Sequence, residues 1–174
     1  PRVRRQRQMC IRDRKLILRI RKPDWTDKAT FIINGEEEQP LLGSDGYWII
    51  DRVWERKNVI TLRLPMHIYT ENLTGTDRYV ALLYGPYVLA GRMGKENLPT
   101  TFWGKMNNTA MNKMDMAKVP VFREPVERIP THVEVVSGEP LKFGINLKGF
   151  EHIVLEPFYK VHFERYAVYW PITH

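Results

Sequence analysis

The sequence predicts an all-β protein, an antiparallel β-sandwich or two packed β-domains. Three observations carry this. Apolar and polar residues alternate over short segments, the period of strands with one wet face. Twelve prolines and eleven glycines are spread along 174 residues, and turn signals recur roughly every ten residues, as in a sandwich rather than a strand-helix alternation. Finally, Arg78–Gly91 holds two apolar runs joined at Gly85-Pro86. Tyr79–Tyr84 carries no charge and reads as a strand buried on both faces. Pro86 has a fixed φ and Gly85 permits a sharp bend, so the chain turns there into a second strand.

The elements follow in order. Lys15–Arg21 is a strand, with Leu16, Leu18 and Ile20 set against Lys15, Arg19 and Arg21. Ala29–Asn34 is the next, and Asn34-Gly35 is a hairpin dipeptide that accepts positive φ. Gly46–Ile50 is a third. Val59–Leu64 is a fourth, ended by Pro65. Tyr79–Tyr84 and Tyr87–Arg92 complete a first domain over 15–92. Residues 93–118 are rich in Met, Asn and Lys and alternate little; they read as a loop or insertion and as the domain boundary. Strands resume in 119–174 at His132–Val136, Leu141–Ile145, His152–Leu155, Tyr159–Phe163 and Tyr166–Trp170.

Residues 1–14 stand apart. Arg4–Asp13 can be written back into the codons CGT CGG CAG CGT CAG ATG TGT ATA AGA GAC, a string that looks like the transposase adapter of short-read sequencing libraries. The segment is expected to be an artefact without tertiary contacts. It holds six Arg and one Asp, whereas the whole chain has 27 basic and 20 acidic residues. The remaining 160 residues then carry only +2, and the nucleic-acid or anionic-membrane partner suggested by a net charge of +7 falls away. The single cysteine, Cys10, lies in the same segment, leaving no disulfide framework, thiol nucleophile or cysteine zinc site in the rest. No apolar run reaches the roughly 20 residues of a membrane span.

The wording of several segments resembles a known family. Arg19-Ile-Arg-Lys-Pro-Asp-Trp25, Val53-Trp54, Leu64-Pro65-Met66 and Arg78–Gly91 resemble the β-sandwich that follows the catalytic barrel in glycoside hydrolase family 127, the β-L-arabinofuranosidase-like enzymes. Pro157-Phe158-Tyr159, His162, Arg165-Tyr166 and Tyr169-Trp170 resemble an uncharacterised β-domain that comes after it. One departure is Lys57-Asn58, where the family has Gly-Asp; Asn tolerates left-handed geometry, so the turn should survive.

The resemblance implies a retaining glycosidase with a cysteine nucleophile, a glutamate acid/base and a zinc ion, all in an (α/α)6 barrel upstream. Such chemistry needs a nucleophile and an acid flanking the glycosidic bond. No catalytic, cofactor or metal residue can be carried onto this sequence, so the segment is expected to be inactive. Its implied partners are that barrel and a glycan, and the implied compartment is periplasmic or extracellular. An autonomous carbohydrate-binding module is the alternative.

Local candidates can be weighed on their residues. His132 with Glu134 and His162 with Glu164 sit two apart on expected strands, so each pair shares a face and could join a third zinc ligand; ordinary solvated or hydrogen-bonded surface pairing is the favoured account. Glu36-Glu-Glu38 reads as a charge run beside the Asn34-Gly35 turn. Trp54 and Trp170 read as core. Trp103, Tyr159 and Tyr169 are the candidate carbohydrate contacts, since an aromatic face suits the apolar C–H face of a sugar ring.

Deleting residues 1–14 is expected to leave the thermal unfolding midpoint unchanged. A clear drop in a calorimetric scan means that the segment belongs to the fold.

Overall fold

Asn34 and Gly35 adopt φ of +55° and +92°, the left-handed pair that a two-residue hairpin loop requires. They fold Thr30–Ile33 (β2) back on Glu36–Glu38 (β3). The structure, a computed structural model, describes residues 14–96, 98 and 117–173. It divides into two units, residues 1–66 and 67–174.

In the first unit β1 (Arg14–Arg21), β4 (Leu41–Leu42) and β5 (Tyr47–Trp54) form a sheet of order β1-β5-β4. Strands β2, β3 and β6 (Ile60–Arg63) form another, of order β3-β2-β6. Alternation puts Phe31 and Ile33 of β2 on the same side as Trp48 and Ile50 of β5, and these four fill the space between the sheets. Phe31 meets Trp48 edge-on, 5.1 Å between centroids, the geometry that ring quadrupoles favour. This unit is a two-layer sandwich in miniature.

The second unit is one antiparallel sheet. Its strands are β7 (Ile68–Asn72), β8 (Tyr79–Tyr84), β9 (Tyr87–Arg92), β10 (Val133–Val135), β11 (Phe143–Ile145), β12 (Val154–Pro157), β13 (Tyr166–Ala167) and β14 (Tyr169–Pro171). The order is β10-β11-β12-β9-β8-β14, with β13 also on β9 and β7 also on β8. Gly85 takes φ +52° and Tyr84 pairs with Tyr87, so Gly85-Pro86 closes a two-residue hairpin. The last strand, β14, returns beside β8 and points Trp170 into the core. There Trp170 meets Phe122 and Phe150, which stack on each other at 4.3 Å. It also lies over Gly91: a Cβ built on Gly91 would come within 2.5 Å of the indole. Only glycine leaves room for that ring.

Most expected elements are present, and the differences have local causes. Glu36–Glu38 is not a bare charge run but the return strand of the hairpin, with Glu38 accepting a hydrogen bond from Arg52 at 2.7 Å. Asn58 does not use left-handed backbone; its Oδ1 accepts from the Glu55 amide at 2.7 Å and closes the turn from the side chain. Tyr159–Phe163 is not a strand. Pro157 ends β12, and Phe158–Lys160 follows as a 3-10 turn. The sheet pairing also parts the chain elsewhere than expected: β8 and β9 pair with β12, β13 and β14, not with the strands of 15–66. Most of the 93–118 segment lies outside the described residues, as do residues 1–13. Arg14, expected to stand outside the fold with the leader, instead pairs with Trp54 in β1.

Leu82 and Leu83 point to opposite faces of β8 and are 0% and 7% exposed, so both faces are covered. Leu82→Ala and Leu83→Ala should each cost about 2–5 kcal/mol in urea unfolding. Gly91→Ala should cost about 1–3 kcal/mol by overpacking against Trp170. A cost near zero at Leu83 would make β8 a half-exposed strand.

Candidate functional site

The feature that stands out in the second unit is the loop from Phe158 to Tyr166. Its backbone is tied down at both ends. Val161 is buried, and its amide donates to Phe158 O at 3.1 Å to close the 3-10 turn. The Arg165 amide donates to Gly94 O at 3.0 Å, and the Met93 amide donates to Arg165 O at 2.9 Å. The side chains add a clamp. Arg92 Nε donates to Glu164 Oε1 at 2.8 Å, and its Nη1 donates to Glu156 Oε2 at 3.2 Å. The Glu164 side chain is only 6% exposed, so its charge depends on Arg92 for compensation. Arg165 reaches the Glu96 carbonyl.

Between these anchors the loop turns its rings outward. Phe158, Tyr159, Phe163 and Tyr166 are 43, 57, 71 and 50% exposed. Phe158 leans on Tyr166 at 4.9 Å, and Tyr159 on the half-buried Tyr87 at 5.9 Å. Phe163 adopts φ +55°, a left-handed conformation that costs a Phe roughly 1–2 kcal/mol. The loop thus holds a strained residue in place and exposes its ring, which local stability alone would not select. Four large rings exposed within one short loop make it the candidate interaction surface of this unit.

Each candidate from the sequence now has a place. Tyr159 belongs to this cluster. Tyr169 lies elsewhere, half-exposed at the start of β14 opposite Ala81, and no ring contact among the described residues joins it to the loop. Trp103 lies outside the described residues. Trp170 is core and Trp54 is half-buried, its Nε1 donating to Leu16 O at 2.8 Å. The two His/Glu pairs do not converge as ligands: His132 lies 2.9 Å from Glu124, and Glu164 is held by Arg92. Among the described residues no group of three His, Cys, Asp or Glu could hold a metal. Phe158 and Tyr166 entered the sequence reading through the family motifs, and Phe163 was not singled out. The signal available was the density of rings after Pro157, which the strand-like alternation of Tyr159, Val161 and Phe163 masked.

The boundary between the units coincides with a boundary between two families. Residues 69–172 match the family DUF4986, described as a domain of unknown function. The chain belongs to that family. Residues 5–66 match the family described as beta-L-arabinofuranosidase, GH127 middle domain, a span that reaches into the segment whose codons resemble an adapter. The pair of domains is that of the C-terminal region of family 127 proteins. Two solved structures share the fold. One is titled "Glycoside hydrolase", with a TM-score of 0.54, 16% identity, and coverage of 92% of this chain and 28% of that one. The other is Ara127N-Se, a GH127 beta-L-arabinofuranosidase from Geobacillus stearothermophilus T6, with a TM-score of 0.58, 15% identity, and coverage of 93% of this chain and 27% of that one. The chain therefore spans little more than a quarter of either. No curated protein matches.

Arg92→Met should cost about 3 kcal/mol, because it strands the buried Glu164 carboxylate. Adding Glu164→Leu should recover part of that loss in urea unfolding. A double variant less stable than Arg92→Met would show that the clamp is not what Glu164 needs.

Proposed function

We propose that this chain is the non-catalytic accessory β-region of a family 127-like glycoside hydrolase acting on arabinose-containing glycans, and that it supports an (α/α)6 catalytic barrel outside this sequence. The observation that carries the proposal is the anchored aromatic loop Phe158–Tyr166. A surface meant to meet a fixed partner needs apolar rings already held in place, so that little entropy is lost on docking. Permanent interfaces are apolar at their centres and large, and the solved relatives carry nearly three quarters of their length beyond the part aligned here. The nucleophile, acid/base and zinc of the enzyme belong, on this reading, to the barrel.

The ring geometry bears on the alternative of an autonomous carbohydrate module. Phe158 and Tyr166 are tilted by 52°, and Tyr87 and Tyr159 by 51°. A flat strip for successive sugar rings needs exposed rings that are nearly coplanar. Tilted, interlocked rings suit a shaped protein surface better.

The full chain is expected to bind a hydrophobic dye in its native state and to self-associate in sedimentation velocity. Phe163→Ser with Tyr166→Ser should reduce both without lowering the unfolding midpoint. A dye-silent monomer at high concentration that binds a neutral glycan would contradict the accessory reading and support the module. The purified chain should also fail to hydrolyse aryl β-L-arabinofuranosides. Turnover abolished by a point mutation within residues 15–174 would place chemistry here.

A further inference from the structure

The second unit has a concave surface that the accessory role does not use. The stretch Lys118–Glu124 and the turn Leu147–Gly149 enclose a cleft of about 750 Å³. Phe122, buried between them, fixes the first stretch: its amide donates to Pro171 O, and its carbonyl accepts from Thr173 N, both at 2.9 Å. The stacked Phe150 fixes the second, its amide donating to Leu147 O at 2.9 Å. The cleft is therefore built on the unit's core rather than on a free loop.

Its lining has two parts. Val119, Val121 and Leu147 supply an apolar floor, and Lys118, Arg123 and Lys148 supply three positive charges at its edge. Among the described residues none of these three cations has an acidic partner, whereas Arg92, Lys142 and Arg165 of the same unit each have one. Like charges gathered round one concavity repel each other and contribute nothing to folding. The same arrangement focuses field into the cleft and concentrates anions there. The one carboxylate among the described lining residues, Glu124, lies 2.9 Å from His132 through Oε2 and offsets one of the three cations, which leaves the lining net positive.

We infer that this cleft binds a uronate-bearing saccharide. The sugar's apolar C–H face would lie on Val119, Val121 and Leu147. Its carboxylate would meet the Lys118, Arg123 and Lys148 side chains in charge-assisted hydrogen bonds. The size fits: clefts of roughly 300–1,000 Å³ hold small ligands. A bare inorganic anion would leave the floor uncovered. Single-stranded nucleic acid would need aromatic rings on which to stack its bases, and none lines this cleft among the described residues. The inference is independent of the accessory role, because it rests on other residues on another part of the unit.

The test is affinity electrophoresis of the full chain through gels holding polygalacturonate, neutral galactan or single-stranded DNA. The chain should be retarded by polygalacturonate and not by galactan. The variant K118Q/R123Q/K148Q should weaken retardation about tenfold, the effect expected when convergent charges are lost. The variant R78Q/R128Q/K160Q, with the same loss of charge at other exposed positions of the unit, should change it less than about twofold. Equal loss in both variants would reduce the effect to net charge and overturn the proposal. So would the absence of retardation, or retardation by DNA as strong as by polygalacturonate. All the substituted residues are exposed, and an unchanged unfolding midpoint for both variants confirms that folding is not what is read.

Discussion

The second unit depends on one contact: the indole of Trp170 seated on Gly91. Every strand near that contact is placed by it or places it. Gly91 lies in β9, which pairs with β12 along one edge and with β8 and then β13 along the other. Trp170 arrives from the far end of the chain on β14 and is fully buried. The absence of a single side chain at residue 91 lets a large ring fill the middle of the sheet, close to Phe122 and Phe150. Apolar burial of that size dominates the stability of a small unit. It also costs something polar, because Trp170 Nε1 has no acceptor among the described residues.

The aromatic loop and the cationic cleft both inherit their rigidity from this core. Arg92, next to Gly91, clamps Glu164, and Tyr166 pairs with Arg92 across β13. Phe122 and Phe150, the rings that flank Trp170, hold the two walls of the cleft. One packed centre thus supports two outward surfaces of different character, one apolar and one charged. That division suits an accessory region: one surface for a fixed protein neighbour, another for a soluble or polymeric ligand.

Much of this was legible in the residues, and the rest was hidden for physical reasons. The hairpins at Asn34-Gly35 and Gly85-Pro86 were readable because their turns demand particular residues. β8 was readable because an uncharged run must be buried on both faces. Glu36–Glu38 was not, since an edge strand is held by its backbone ladder and tolerates charge outward. The loop 158–166 was misread because its apolar residues alternate like a strand's. Nothing local announces that Phe163 will turn left-handed. The division after Met66 was equally invisible, because it follows from β9 choosing partners more than sixty residues away. The family resemblance, by contrast, was carried by short motifs whose order along the chain is specific; the two domain matches agree with it, except that Arg78–Gly91 falls in the DUF4986 match and not in the middle-domain match.

The central claim is that the aromatic loop is ordered before any partner arrives. Amide hydrogen exchange, read residue by residue on the full chain, tests it most directly. The Met93, Val161 and Arg165 amides, which donate to Arg165 O, Phe158 O and Gly94 O, should be protected to an extent approaching the β8 and β9 amides. The flanking rings would then be presented on a fixed frame. If those three amides instead exchange at the rate of an unstructured peptide while β8 and β9 stay protected, the loop is not preformed and the docking surface proposed for it does not exist in the free chain.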